Sequence, residues 1–211
     1  MYVHHRISAS PRQWDSVAET IVAQRKTLAA AGGSLYGLWR SQIGRPRDEV
    51  TAITVWPDAI DTAGAEVALL QGVAGVVAVT SEGMTPTLRP DATRPPTRQG
   101  NYAFRWFVTP QENWDEFLTL CAEAWPGFES AYDSQVIGLW RCARTGDGVR
   151  SLLLTRRPDL AMWERSKIPQ GAAEVAVRDT LNRRYDLCSW TVVYTTTLLT
   201  ATDTADRSRW A

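Results

Sequence analysis

The chain has 211 residues, 44% apolar and 22% charged, a length and balance that suit one large or two small globular domains with real cores. Its 23 basic and 23 acidic residues cancel to a formal net charge of zero, which argues against nucleic acid as a partner and against a polybasic membrane anchor, since both need excess positive charge. No run approaches the ~20 apolar residues of a membrane span, the start lacks the apolar stretch of a signal peptide, and Cys121, Cys142 and Cys188 are too scattered for a disulfide framework, so the expected location is cytoplasmic, with reduced thiols.

In chain order, Tyr2–Ala9 reads as a strand. Ser10 and Pro11 suit the N-cap and first turn of a helix that runs to about Ala31, with Trp14, Val17, Ile21 and Leu28 at helical spacing and Gly32-Gly33 as its stop. Strands follow at 35–42 and 50–56, the second rich in β-branched residues and stopped by Pro57. A helix at 59–70 and a strand at 73–81 complete this half. Residues 84–101 hold Pro86, Pro90, Pro95 and Pro96 and read as an extended linker. Beyond it come a strand at 103–108, a helix at 111–125 ended by Pro126-Gly127, strands at 136–144 and 149–156 around Thr145-Gly146-Asp147-Gly148, a helix at 172–184 and a strand at 188–198. The polar tail, 201–211, is expected to fray.

The two halves echo each other. Gly37-Leu38-Trp39-Arg40 recurs as Gly138-Leu139-Trp140-Arg141, and Tyr2, Trp14-Asp15 and Pro57-Asp58 match Tyr102, Trp114-Asp115 and Pro158-Asp159 in near-constant register. A period of about 100 residues is too long for a solenoid and reads as a duplicated domain. The expected organisation is a first repeat at 1–83, the Pro-rich linker at 84–101, a second repeat at 102–200 and the tail at 201–211. Each repeat has the order βαββαβ of a ferredoxin-like unit. One such unit leaves a sheet face bare, so the expected fold class is α+β, two ferredoxin-like repeats packed sheet to sheet as a barrel-like intramolecular pseudo-dimer.

The unit resembles the dimeric α/β-barrel superfamily and, within it, the NIPSNAP-type domain. The resemblance rests on Gly37-Leu38-Trp39 followed by 45–49, 53–56 and Asp58, and on Phe104-Arg105-Trp106-Phe107 in the second copy, where an arginine precedes an aromatic. Val3 and His5 stand where that family tends to place an acid and an arginine. The resemblance implies a superfamily that hosts cofactor-free monooxygenases, haem-binding enzymes, isomerases and pure binders, so the fold alone does not fix the activity.

Strand parity selects His5 and Arg105 as the candidate catalytic residues, on faces turned toward the space between the repeats, with the aromatic set Tyr102, Phe104 and Trp106 turned toward the helices. Trp39, Trp56, Trp140, Thr155 and Arg157 complete the candidate ligand-binding set, Trp39 and Trp140 reading also as core. Arg105 and Arg157 suit an anionic carboxylate or a structural ion pair. His4 and His5 are the chain's histidines and point to opposite faces, so no metal site is expected. Cys142 reads as an inert thiol. No phosphate loop, dinucleotide fingerprint, zinc-protease motif or nucleophile elbow occurs. The expected function is binding of a small hydrophobic or aromatic molecule in a cleft between the repeats, with cofactor-independent monooxygenase or isomerase-like chemistry. The alternatives are a non-catalytic interaction or homo-oligomerisation module and, more weakly, a haem protein with His5 as ligand; otherwise no cofactor is expected.

Overall fold

The computed structural model describes residues 1–57, 60–142, 146 and 148–203. Asp58, Ala59, Arg144, Thr145, Asp147 and tail residues 204–211, all invoked above, lie outside them. The strands are β1 (Tyr2–Ala9), β2 (Ser34–Ile43), β3 (Glu49–Val55), β4 (Val76–Arg89), β5 (Asn101–Thr109), β6 (Gln135–Cys142), β7 (Val149–Arg157) and β8 (Trp190–Leu198). The helices are α1 (Trp14–Ala23), α2 (Arg25–Ala30), α3 (Thr62–Leu70), α4 (Trp114–Ala131), α5 (Leu160–Arg165) and α6 (Ala172–Asp186). The chain divides into two units: among the described residues, unit 1 holds Met1–Thr85, Ala92–Gln99 and the segment 194–203, and unit 2 holds Pro86–Asp91 and Gly100–Val193.

In unit 1, β1 pairs antiparallel with β3 on one side and with β4 on the other, and β2 pairs with β3 and with the second half of β8. His5 lies opposite Ala52 on β3 and Ser81 on β4. Because side chains alternate along a strand, Val3, His5, Ile7, Val50, Ala52 and Thr54 share one face. That face carries the unit's apolar core, where Val3, Ile7, Leu38, Val50 and Ala52 cluster with Val17, Ala18 and Ile21 of α1 and Ala65 and Leu69 of α3. In unit 2, β5 pairs with β7 and β7 with β6, and Arg105 lies opposite Leu153. Phe107, Leu139 and Leu153 there cluster with Trp114, Phe117, Cys121 and Trp125 of α4 and Leu181 of α6.

The recurring Gly-Leu-Trp-Arg motif has one structural role in both units. Glycine and tryptophan two residues apart on a strand share a face, and the indole folds back over the glycine: a Cβ on Gly37 would fall 2.3 Å from the Trp39 ring, and one on Gly138 2.4 Å from the Trp140 ring. A register irregularity precedes the motif in each case, between Leu35 and Gly37 and between Val136 and Gly138. Trp39 and Trp140 are both fully buried.

Several elements differ from the sequence expectation. The first helix starts at Trp14 rather than at Pro11, because Arg12 takes a left-handed φ of 66°, and it divides into α1 and α2. Pro126 and Gly127 do not stop α4, which continues to Ala131. Trp125 and Phe128 are buried in the same cluster on either side of the proline, and that burial holds the next turn despite the lost backbone donor. A Cβ on Gly127 would meet Val177 of α6 at 2.5 Å, so the glycine permits the close approach of the two helices. α5 is a helix that the sequence pattern does not predict; Asp159 caps it by accepting from the Met162 amide at 2.7 Å. Residues 84–89, expected in the linker, form the end of β4, since proline's φ is compatible with extended backbone. Residues 201–203 are not frayed: the Thr202 and Asp203 amides donate to the Thr97 carbonyl at 3.0 and 3.1 Å.

Candidate functional site

A cavity lies inside unit 2, between its sheet and its own helices. β5 and β7 supply Ala103, Arg105, Leu153, Thr155 and Arg157, α4 supplies Trp125 and Phe128, and α5, α6 and the segment joining them supply Trp163, Ser166, Lys167, Arg178, Leu181, Arg184 and Tyr185. The cavity, partly open to solvent, has a volume of about 40 Å³, room for a few waters or a compact polar group. Five of the lining side chains are cationic and none is a carboxylate. None of the five makes an ion pair among the described residues.

Aromatic faces and neutral acceptors take the place of anions. The Arg157 guanidinium lies 4.4 Å from the Trp163 ring centroid and 5.0 Å from that of Phe128, Arg105 lies 5.3 Å from that of Tyr185, and Arg184 lies 5.0 Å from those of Phe107 and Tyr185. Arg157 Nη1 donates to Thr155 Oγ1 at 3.3 Å, and Arg178 donates to the Ser166 carbonyl. The buried Nε atoms of Arg157, Arg178 and Arg184 have no acceptor, an expensive state for a charged group. Burial, and then the charge of Arg105, pulls Arg157 down to about 10, and burial lowers Arg105 as well. Lys167 stands exposed at the rim, its ammonium 5.0 Å from the Trp163 centroid; partial desolvation and then the charges of the four arginines lower it to about 8. An anion in this cavity would offset the mutual repulsion of these cations.

Unit 1 handles the corresponding face differently. His5 is fully buried, with Nδ1 2.8 Å from Ser81 Oγ and Nε2 3.0 Å from Thr54 Oγ1. Ser81 donates to Glu66 Oε2 at 2.8 Å, and Trp56 Nε1 donates to Thr54 Oγ1 at 2.9 Å. These donors fix the proton positions. Ser81 spends its proton on Glu66, so it accepts from His5 Nδ1–H. Thr54 accepts from the indole and donates to His5 Nε2. A neutral imidazole satisfies this network, and burial lowers His5 to about 3. Both of its nitrogens are engaged, and it lines no part of the unit 2 cavity.

The structure thus brings together three of the sequence-derived residues, Arg105, Thr155 and Arg157. It places Trp39 and Trp140 on the opposite sheet faces, opposite Thr51 and Leu152, and Trp56 in the unit 1 core. The face assignment is corrected: His5, Arg105, Thr155 and Arg157 lie on the helix-covered face of their own unit's sheet, not on a face turned toward a space between repeats. The wholly aromatic set Tyr102, Phe104 and Trp106 lies on the other face. Aromatic content misleads here because α4 brings its own rings, Trp114, Phe117, Trp125 and Phe128, and needs no aromatic strand face beneath it. Sequence reading misses Trp163, Lys167, Arg178, Arg184 and Tyr185. A signal exists on α6, where Arg178, Leu181, Arg184 and Tyr185 follow helical spacing and so put two arginines on the inward stripe.

No protein-family model matches the sequence, and no curated protein sequence matches it. Solved structures do. The chain is similar to a protein proposed to be a monooxygenase from Lactobacillus acidophilus NCFM (TM-score 0.60, 9% identity, covering 96% of this chain and 95% of that one). It is also similar to an anthrone oxidase-like protein (TM-score 0.55, 15% identity, 94% and 90% covered) and to a haem-binding protein from Thermus thermophilus (TM-score 0.56, 14% identity, 94% and 90% covered). At 9–15% identity these likenesses show a shared fold. No helix among the described residues is long and apolar enough to cross a membrane.

The residues present do not fit haem ligation by histidine. His5 has no free nitrogen, His4 is buried with Nε2 3.2 Å from the Tyr194 hydroxyl, and the unit 2 cavity contains no histidine and too little volume for a porphyrin. No group of three or more His, Cys, Asp or Glu side chains that could hold a metal occurs among the described residues.

Proposed function

We propose that this chain binds a small organic molecule through a carboxylate or phosphate group seated in the unit 2 cavity. One observation carries the reading: four arginines and a lysine line one cavity with no acidic side chain among them. Unpaired buried cations are costly, and groups so perturbed in a cavity mark functional sites. Aromatic walls suit the hydrophobic or aromatic body expected from the sequence, with the anionic group as its anchor.

The fold neighbours named as oxidase-like and as a proposed monooxygenase support oxygenase-type or isomerase-like chemistry on such a molecule, and the haem-binding neighbour shows that the fold can host an organic ligand. A NIPSNAP-like origin by tandem duplication is supported by the shared Gly-Leu-Trp-Arg motif and its common packing role. Cytoplasmic residence is in keeping with the free thiols Cys121, Cys142 and Cys188. Self-association is a second reading, favoured by the exposed Trp190 and Val192 on β8.

Isothermal titration of the full chain with inorganic phosphate and with small carboxylates tests the main reading. Saturable binding that weakens with salt and falls about tenfold in Arg157→Gln or Arg178→Gln is expected, the loss of one charge-assisted hydrogen bond. Absence of saturable binding to every anion tried, or binding indifferent to both substitutions, sinks it.

A further inference from the structure

Among the cations of the unit 2 cavity, Lys167 differs from the others in kind. A guanidinium stays protonated and is a poor nucleophile, whereas an amine that sheds its proton attacks carbonyl carbon. Lys167 has no ion pair among the described residues to hold its proton. The charged groups lining the cavity with it are Arg105, Arg157, Arg178 and Arg184, all of one sign, and the neutral wall beside its ammonium is the Trp163 ring. The same arginines that repel its proton offer a clamp for a carboxylate. The sequence has one other lysine, Lys26 on α2, outside this cavity.

We propose that Lys167 is a carbonyl-capturing amine, and that the ligand class of this cavity is a small oxo acid whose carboxylate is held by Arg105 and Arg157 while its aldehyde or ketone carbon meets Nζ. This rests on the reading of the cavity as an anion site and adds a covalent step to it. The Nζ lone pair forms the N–C bond as the carbonyl π pair moves to oxygen. The oxygen then leaves as water carrying both amine protons, and a neutral imine remains. The lowering of Lys167 to about 8 leaves roughly a tenth of the side chain as free amine near neutral pH, far more than an unperturbed lysine offers. The bound carboxylate supplies the negative charge that an iminium would otherwise lack in this cationic setting.

Reductive trapping tests the proposal. The full chain is incubated with glyoxylate and cyanoborohydride, which delivers hydride to the C=N bond, and the adduct is located by peptide mass spectrometry. The expected result is a single adduct on Lys167, absent in Lys167→Arg, and formed about tenfold more slowly in Arg157→Gln. Propanal, which lacks the carboxylate, is expected to label Lys167 with no such dependence on Arg157. Labelling of Lys26 or the N-terminus as fast as Lys167, or equal glyoxylate trapping with and without Arg157, overturns the inference. Saturable glyoxylate binding by calorimetry with no adduct on Lys167 overturns it too, while leaving the anion-site reading intact. Failure of anion binding altogether would reject that reading first.

Discussion

Units 1 and 2 put opposite chemistry on the same backbone positions. Where β1 places His5 opposite Ala52, β5 places Arg105 opposite Leu153. On the neighbouring strand each unit has a threonine followed two residues later by a long side chain that donates to it: Trp56 to Thr54 at 2.9 Å, Arg157 to Thr155 at 3.3 Å. In unit 1 the indole packs so tightly that a Cβ on Gly33 would fall 2.6 Å from it, and a neutral hydrogen-bond chain through His5 satisfies the polar atoms. In unit 2 the position is cationic, a cavity remains, and three guanidinium Nε atoms lack acceptors. The difference teaches that a sheet-and-helix unit can be closed by shape or held open by like charge. The closed version contributes stability; the open one leaves buried cationic atoms without acceptors.

The sharpest way to break this contrast is Trp56→Ala. Removing a buried indole that also holds one end of the His5 network should cost about 3–5 kcal/mol, read as a fall in the denaturation midpoint with an unchanged m-value. A loss below ~1 kcal/mol would mean that unit 1 is not closed by this residue.

A pH titration of stability probes the same network, with a smaller effect per pH unit. His5 is held near 3 in the folded chain against an ordinary value of 6.5, so between those values the unfolded state binds a proton that the folded state refuses. Stability therefore rises with pH in that window, by at most about 1.4 kcal/mol per pH unit from this group, and the contribution is complete above 6.5. Equilibrium unfolding at several pH values should show the slope in the wild type and its reduction in His5→Gln. A wild-type slope that His5→Gln leaves untouched would place the titrating group elsewhere.

How far the sequence foretells this contrast depends on what each feature rests on. The eight strands and the βαββαβ order are legible because alternation, Gly-Gly stops and the repeated motif are local signals. Arg105, Thr155 and Arg157 fall on one face because parity along a strand is local too. Which side of the sheet the helices cover is not local, and the aromatic content of Tyr102, Phe104 and Trp106 points to the wrong face. Lys167 and Trp163 are invisible because they ride on α5 and the turn after it, a short element whose only announcement is Asp159 as a cap. His5 looks chemical as an isolated histidine. Its closed network needs Glu66 and Ser81, from α3 and β4, and no spacing rule links them to it.

The smallest expected effect on stability is also the most discriminating. Arg157→Met removes a buried charge that has no counter-ion, keeps most of the volume, and leaves Thr155 near other polar groups of the cavity. Replacing an uncompensated buried ion by a well-packed apolar chain is neutral to stabilising, so the variant should match the wild type or exceed it by about 1 kcal/mol, while phosphate or carboxylate binding falls at least about tenfold. Stability unchanged with binding so weakened identifies an arginine kept for its ligand. A loss comparable to that of Trp56→Ala would instead make Arg157 a packing residue, and the two units would then differ in composition without differing in purpose.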